Sequence, residues 1–202
     1  MDKAKIRLSP LEAELVSNTL WILTKNEVMR KAKLILEDVA ERQRVFLQQN
    51  PDLLPQEIIS IPPKISKGEY YKGLPYYMLD HPRQLSRDGN LAIRTMFWWG
   101  NFFSVTLHIS QHHKDEREER IISMLPDLHD EFFICVNEEE WEHDFDPENY
   151  RRLSDMEESQ AAEIVRNKSF LKLSKQIPIS EWENADDLIF ETFRKLLVLM
   201  KG

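Results

Sequence analysis

Glycine is scarce in this chain of 202 residues, which has five glycines, only four of them internal, at positions 68, 73, 89 and 100. Neither the G-x-G-x-x-G dinucleotide fingerprint nor the G-x-x-x-x-G-K-[ST] phosphate loop can be written with this spacing. The G-x-S-x-G nucleophile elbow and the H-E-x-x-H zinc helix are also missing from the sequence. These gaps exclude the commonest sequence signatures of nucleotide binding, serine hydrolysis and metalloproteolysis.

Cysteine occurs once, at Cys135, so an intramolecular disulfide and any multi-cysteine zinc or iron–sulfur site are excluded. Because Cys135 lies in the apolar run EFFICV (131–136), we predict a buried thiol and not a nucleophile. The acidic run 138–146 is rich in oxygen ligands but lacks the spacing and the glycine of a calcium loop. We interpret this run as a solvated strand end.

Histidines cluster near position 110, where a metal site is one interpretation. His108, His112 and His113 precede two acidic residues, and two histidines with a carboxylate can bind a divalent cation. The alternative is that His112 and His113 are solvated residues at a strand exit within a charged run. We favour the alternative and predict no metal and no cofactor.

The chain also lacks an excess of positive charge and long apolar runs. The net charge of −8 opposes non-specific nucleic-acid binding, so no nucleic-acid partner is expected. Apolar runs fall short of the roughly 18 residues of a membrane span, which predicts no membrane partner. Met1–Lys5 lead into a polar segment without the apolar core of a signal peptide, which indicates a cytoplasmic protein.

Helices are predicted at both ends of the chain. Ser9-Pro10-Leu11-Glu12 is a capping box, and a second helix is expected from about Glu27 to Gln49. A second capping-box pattern, at Ser154, predicts the start of a helix that runs to about Arg166, and a third, at Ser180, predicts the start of a terminal helix. The apolar stripes of residues 11–46 and 188–200 must be buried against another surface.

Strands are predicted between these helices, at Leu74–Leu79, Ala92–Trp99, Phe103–Ile109 and Glu131–Val136. The segment 51–82 holds six of the ten prolines and is read as extended connecting chain with at most edge strands. Phe170–Ile179 is compatible with either a helix or a strand. The predicted fold class is α+β, with an antiparallel sheet of about four strands and helices from both chain ends packed on it.

The strands 92–99 and 103–109 are expected to form a hairpin with a three-residue loop, Gly100-Asn101-Phe102. A loop of this length places the apolar odd-numbered residues of both strands on one face. It also places Arg94 opposite His108, Met96 opposite Thr106 and Trp98 opposite Ser104.

The even-numbered face of this hairpin is the candidate ligand-binding site. Arginine, histidine, hydroxyl groups and an indole on one surface suit an anionic or planar ligand. The alternative is that the N-terminal helices or a second subunit cover this face. The predicted binding residues are Tyr76, Asp80, Arg94, Trp98, Ser104, Thr106 and His108.

The motifs KGxxYKGLPYxxLDxPR and AIRTMFWWGNFFSxTLHxS span residues 67–110. In these motifs, and in FFICVNEEEWEHDF, the chain resembles an uncharacterised family of intracellular proteins from Bacteroidetes-type bacteria. The resemblance covers about half of the chain and implies a bacterial, intracellular protein. It implies no activity, cofactor or catalytic residue.

We expect residues 1–202 to form a single domain, with a helical segment at 1–50, a Pro-rich approach loop and antiparallel sheet at 51–145, and C-terminal helices at 146–202.

The sequence supports two hypotheses about function. The first hypothesis is a non-catalytic binding or assembly protein that uses the aromatic hairpin to contact an unknown protein or a second copy of itself. The second is an enzyme acting on an anionic small molecule in a pocket lined by Arg94, His108 and Asp80, where a histidine serves as acid or base.

Overall fold

Seven strands form one antiparallel sheet in the computed structural model, which describes residues 6–201. The strand order is β1-β2-β3-β4-β7-β5-β6, so that β7 lies between β4 and β5. The strands are β1 Lys64–Tyr71, β2 Leu74–Ser86, β3 Gly89–Trp98, β4 Phe102–Ser110, β5 Phe133–Cys135, β6 Tyr150–Arg152 and β7 Phe170–Pro178.

The helices precede the sheet, interrupt it and follow it. They are α1 Pro10–Ser17, α2 Thr19–Gln49, α3 Gln56–Ile59, α4 His112–Asp115, α5 Glu118–Leu128, α6 Glu158–Asn167 and α7 Ala185–Leu199, with 3₁₀ turns at Pro51–Leu53, Leu153–Asp155 and Ile179–Asn184. Ser9 and Glu12 form the predicted capping box of α1. In the part of the chain that the structure describes, no helix has both the length and the apolar character of a membrane span.

The two faces of the sheet have different covers. The odd-numbered residues of β3 and β4 form an apolar face, and α2 and α7 pack against it through residues such as Leu36 and Phe193, which are fully buried. This arrangement of an α+β fold, with helices from both ends on one side of the sheet, confirms the predicted class. The even-numbered face is therefore not the one that the N-terminal helices cover.

The β3–β4 hairpin has the predicted face assignment in a different register. Arg94 lies opposite Thr106 and not opposite His108, and Trp98 lies opposite Phe102. The loop consists of Trp99-Gly100-Asn101, with Gly100 at φ +73°. A positive φ is easily adopted by glycine, which places the turn around Gly100 and draws Phe102 into the strand. A displacement of two residues leaves every side chain on its predicted face.

Other boundaries also differ from the prediction. The sheet has seven strands instead of about four, because β1, β6 and β7 add to the four expected. The Pro-rich region contributes the edge strand β1, as that prediction allowed, while β2 continues past Leu79 to Ser86. The region 146–202, where C-terminal helices are expected, also supplies the strand β6, and Phe170–Ile179, compatible with either a helix or a strand, forms β7. Neither Ser154 nor Ser180 caps a helix, since Glu157 caps α6 and a 3₁₀ turn precedes α7.

Candidate functional site

All seven predicted binding residues lie on the even-numbered face of the sheet, which we call the polar face. Asp80 and Arg94 are cross-strand neighbours on β2 and β3. Arg94 donates to both carboxylate oxygens of Asp80, with Nε–Oδ1 at 2.7 Å and Nη2–Oδ2 at 3.3 Å. Both side chains are buried. Each charge of this pair is thus compensated within the protein.

His108 is the second polar centre of this face. Its Nε2 lies 2.6 Å from Oε1 of Glu140, which also accepts a hydrogen bond from the Asn90 amide at 2.7 Å. Burial lowers the pKa of His108, with Arg94 and Lys172 adding to the effect against the pull of Glu140. A neutral His108 that donates from Nε2 leaves Nδ1 as an acceptor. That atom is buried and has no hydrogen-bond partner within residues 6–201.

Lys172 on β7 lies directly opposite His108 and is fully buried. Its amino group donates to the backbone carbonyl of Glu142 and lies 5.2 Å from the centre of the Tyr150 ring. Burial lowers the pKa of Lys172, and the nearby Arg94 guanidinium lowers it further. Removing an amino group from water favours its neutral form.

The aromatic residues of the polar face form a separate cluster towards the hairpin tip. Trp98 packs edge-to-face on Tyr71 and Phe102, with ring centres 5.2 and 5.6 Å apart, and its indole N–H donates to the Tyr71 carbonyl. The ring of Tyr76 lies where a side chain on Gly68 would be. Tyr76 and Trp98 therefore belong to this aromatic cluster and lie apart from Arg94 and His108.

The hydroxyl groups lie between these two regions. Thr106 bonds the Ser174 hydroxyl at 2.7 Å, and both residues are buried. Ser104 is also buried, opposite Met96 on β3 and Gln176 on β7. The predicted set thus shares one face but divides into a charged end, an aromatic end and buried hydroxyls between them.

Residues 136–149, which we call the covering loop, lie across the polar face between β5 and β6. The Trp141 ring packs on the His108 ring at 5.2 Å and beneath the Arg94 guanidinium at 5.4 Å. Glu140 binds His108, and Phe145 stacks on Tyr150 at 4.8 Å. The acidic run is therefore a cover for the sheet, and the prediction of a solvated strand end is wrong for Glu140 and Asp144.

The far side of the covering loop is held by Tyr71 and Lys72. The Tyr71 hydroxyl accepts from the backbone N–H groups of His143 (2.7 Å) and Asp144 (3.1 Å) and contacts the Glu142 carboxylate at 2.8 Å. Lys72 pairs with Asp144 at 2.8 Å. Although burial opposes its ionisation, hydrogen bonds from Lys72, the Asp146 backbone N–H and the Tyr71 hydroxyl lower the pKa of the Asp144 carboxyl to about 2. Burial holds the pKa of His143 well below its usual range.

Sequence reasoning missed Glu140, Trp141 and Lys172 as members of this region. A tryptophan within an acidic run is the signal that could have revealed the covering loop, because a large aromatic side chain rarely belongs to a solvated strand end. His112 is exposed, and its Nδ1 lies 2.7 Å from the Asp88 carbonyl, but His113 is buried, so the interpretation of both as solvated residues is wrong for His113. Within residues 6–201 no group of three His, Cys, Asp or Glu side chains could hold a metal ion. Cys135 is buried, as predicted.

The N-terminal apolar segment, residues 6–23, is the largest departure from the predicted packing. Its stripe was expected to be buried, but α1 contains no buried residue and the first buried residue of α2 is Met29. Leu20 and Val16 are each 72% exposed. The exposed large apolar side chains are Ile6, Leu8, Leu11, Leu15, Val16, Leu20, Trp21, Ile22 and Leu23.

The chain was compared with models of protein families, with curated proteins and with solved structures, and no match was found. The resemblance in residues 67–110 therefore stays a prediction.

Proposed function

We propose that this protein is a non-catalytic assembly protein that associates with a second copy of itself through the N-terminal apolar segment. The observation that carries the proposal is the concentration of exposed apolar side chains in residues 6–23, which hold nine of the sixteen exposed large apolar side chains in residues 6–201. An eight-residue helix is too short to be stable alone in water, and α1 buries none of its residues. A partner that covers α1 would supply the missing packing.

The size of the exposed segment suits a stable interface. Large apolar side chains bury roughly 60–120 Å² each, so the nine exposed ones, eight aliphatic and Trp21, supply at most about 500 Å² of apolar surface. Interfaces are about 60% apolar, which brings the total to roughly 800 Å² per partner, the amount in a standard complex. A typical monomer does not leave a patch of this size exposed unless it has a role.

The chemistry of the segment favours a second copy over a charged partner. Residues 15–24 carry no charged side chain, so they offer no electrostatic selection for a nucleic acid or an acidic peptide. An amphipathic helix that binds membranes carries a basic face, which α1 lacks. Self-association through identical apolar surfaces needs neither feature.

The test is the oligomeric state of the full chain, measured by size exclusion with light scattering at micromolar concentration. The double variant Leu20→Glu/Leu23→Glu should be monomeric, because charges would be buried in the interface. The matched control is Leu34→Glu, at a 49% exposed leucine of α2 outside the segment, which should associate like the parent chain. A monomeric parent chain at 100 µM, a concentration on the order of that used for weak dimers, would contradict the proposal.

A second candidate function is an enzyme acting on an anionic small molecule through Arg94, His108 and Asp80. The observation that favours it is the unpartnered Nδ1 of His108, next to Lys172 and beneath the covering loop. In this function the loop would have to move to admit the anion. Calorimetric titration with inorganic phosphate tests it: binding that Arg94→Gln and Lys172→Met both abolish supports the enzyme, and the absence of heat in the parent chain contradicts it.

A further inference from the structure

An apolar cavity of about 610 Å³ lies beside the tip of the β3–β4 hairpin. Its walls come from α2, from the hairpin tip and from the 3₁₀ turn Ile179–Asn184. The rings of Phe97 and Trp182 meet edge-to-face at 5.7 Å within this wall. The residues that line it are Val28, Lys31, Phe97, Trp99, Gly100, Asn101, Ile179, Trp182 and Glu183. Its volume and its mainly apolar lining are typical of a pocket that receives an apolar group.

We infer that this cavity receives α1 of a second copy of the chain. The inference rests on the proposed self-association and identifies the surface that the N-terminal apolar segment contacts. Leu11 and Leu15 of α1 are four residues apart, the spacing with which a helix anchors in an apolar groove, and Leu8 lies just before the N-cap Ser9. The aromatic hairpin then takes part in assembly through its tip, Trp99-Gly100-Asn101, and not through the polar face.

The position of α1 in its own chain explains why a second copy is needed. Val28 in the cavity wall is ten residues beyond Asn18, where α1 is joined to α2. Ten residues of continuous helix place this junction roughly 15 Å from Val28. The side chains of α1 are exposed and do not line the cavity of their own chain. Two copies can each insert α1 into the cavity of the other, which gives a closed two-fold dimer.

Charge at the cavity rim matches charge on α1. Lys31 on α2 and Glu183 on the 3₁₀ turn both line the cavity. Arg7 precedes α1, and Glu12 and Glu14 lie within it, so the donor segment presents one positive and two negative charges. An arrangement with Arg7 near Glu183 and Glu14 near Lys31 sets the direction in which α1 enters.

The test uses two full-chain variants that each damage one side of the contact. The donor variant Leu11→Glu/Leu15→Glu keeps the cavity, and the acceptor variant Ile179→Glu keeps α1. Ile179 is 36% exposed at the rim, so the change leaves the core intact. Val198→Glu is the matched control, at a 39% exposed aliphatic residue of α7 that does not line this cavity. Circular dichroism verifies that each variant is folded.

Native mass spectrometry of the separate and the mixed variants gives the result. We expect each variant alone to dimerise at least tenfold more weakly than the parent chain, and the mixture to form a heterodimer. In that heterodimer one intact α1 meets one intact cavity, which neither homodimer provides. Val198→Glu should dimerise like the parent.

Two other outcomes would overturn the inference, and they differ from a failure of the proposed function. The first is an Ile179→Glu chain that dimerises like the parent, as expected if the segments pack on each other through the groove of about 470 Å³ between α1 and α2. The second is a mixture without heterodimer. A monomeric parent chain would instead remove the proposed self-association, and this inference with it.

Discussion

Two buried threonines of the sheet have opposite hydrogen-bonding states. The Thr95 hydroxyl faces the helix-covered side and has no partner among the described residues, whereas the Thr106 hydroxyl bonds Ser174 at 2.7 Å. Thr95→Val should raise the free energy of unfolding by about 1 kcal/mol, because a buried unsatisfied hydroxyl is removed. Thr106→Val should lower it by about 1 kcal/mol. Urea denaturation of the two variants measures both changes.

These two substitutions control for each other, since they make the same chemical change on neighbouring strands. Equal effects of the same sign would show that the valine side chain itself, and not the hydrogen-bonding state of the threonine, decides the outcome.

His81 is a buried histidine whose charge state depends on folding. Burial, with the nearby Arg83 and Arg44, lowers its pKa to about 4 from an ordinary value of 6.5. The unfolded chain therefore binds a proton at a higher pH than the folded chain. Stability is fully present above pH 6.5 and is lost as the pH falls towards 4, by on the order of 2–3 kcal/mol from this residue.

The measurement is the free energy of unfolding against pH for the parent chain and for His81→Phe. The variant should lose less stability between pH 6.5 and 4 than the parent chain loses. A His81→Phe curve parallel to that of the parent would contradict the assignment of this pH dependence to His81.

At the scale of elements, the faces of the β3–β4 hairpin could be predicted from sequence but the register could not. Alternation of apolar and polar residues assigns Arg94 and His108 to one face, and they do share it. A displacement of two residues preserves this alternation, so the pattern cannot distinguish Arg94 opposite His108 from Arg94 opposite Thr106. The turn geometry at Gly100 decides between them.

The cover of the polar face could not be predicted, because it depends on contacts between residues far apart in the chain. Glu140 and His108 are 32 positions apart, and Tyr71 and Asp144 are 73 positions apart. Local patterns carry no information on such pairs. The same limit applies to β7, whose alternation fits either helix or strand until its neighbours β4 and β5 are known.

Glu140 joins the covering loop to the polar face of the sheet, because one carboxylate oxygen holds both His108 and Asn90. Glu140→Gln should destabilise the fold by about 1–3 kcal/mol, since it replaces a charge-assisted bond. It should also increase hydrogen exchange in residues 136–149. Mass spectrometry of exchanged peptides measures the second effect.

Glu139→Gln is the matched control for this prediction, because Glu139 is an exposed neighbour in the same loop. The role given to Glu140 would be refuted by equal exchange in the two variants.

At the scale of the whole molecule, self-association makes stability depend on protein concentration. Folding coupled to dimer formation raises the midpoint of thermal unfolding as concentration rises. Between 1 and 100 µM the parent chain should gain several degrees, on the order of the stability change of about 2–3 kcal/mol that a hundredfold change in concentration supplies. Calorimetry at several concentrations measures the gain.

The double variant Leu20→Glu/Leu23→Glu provides the reference for this measurement, and its unfolding midpoint should be independent of concentration. A parent chain with a constant midpoint would indicate that residues 6–23 stay solvated in the native protein.

The central position of β7 has a consequence for synthesis of the protein on the ribosome. Residues 170–178 form β7, which lies between β4 and β5. The hydrogen bond between Thr106 and Ser174 can form only after Ser174, 68 positions later in the chain, has been synthesised. Until then the nascent chain carries two open strand edges, which are the surfaces on which unfinished chains aggregate. Chains whose translation is stalled before Phe170 should therefore be insoluble. Binding of chaperones to the nascent chain should end once β7 has left the ribosomal exit tunnel.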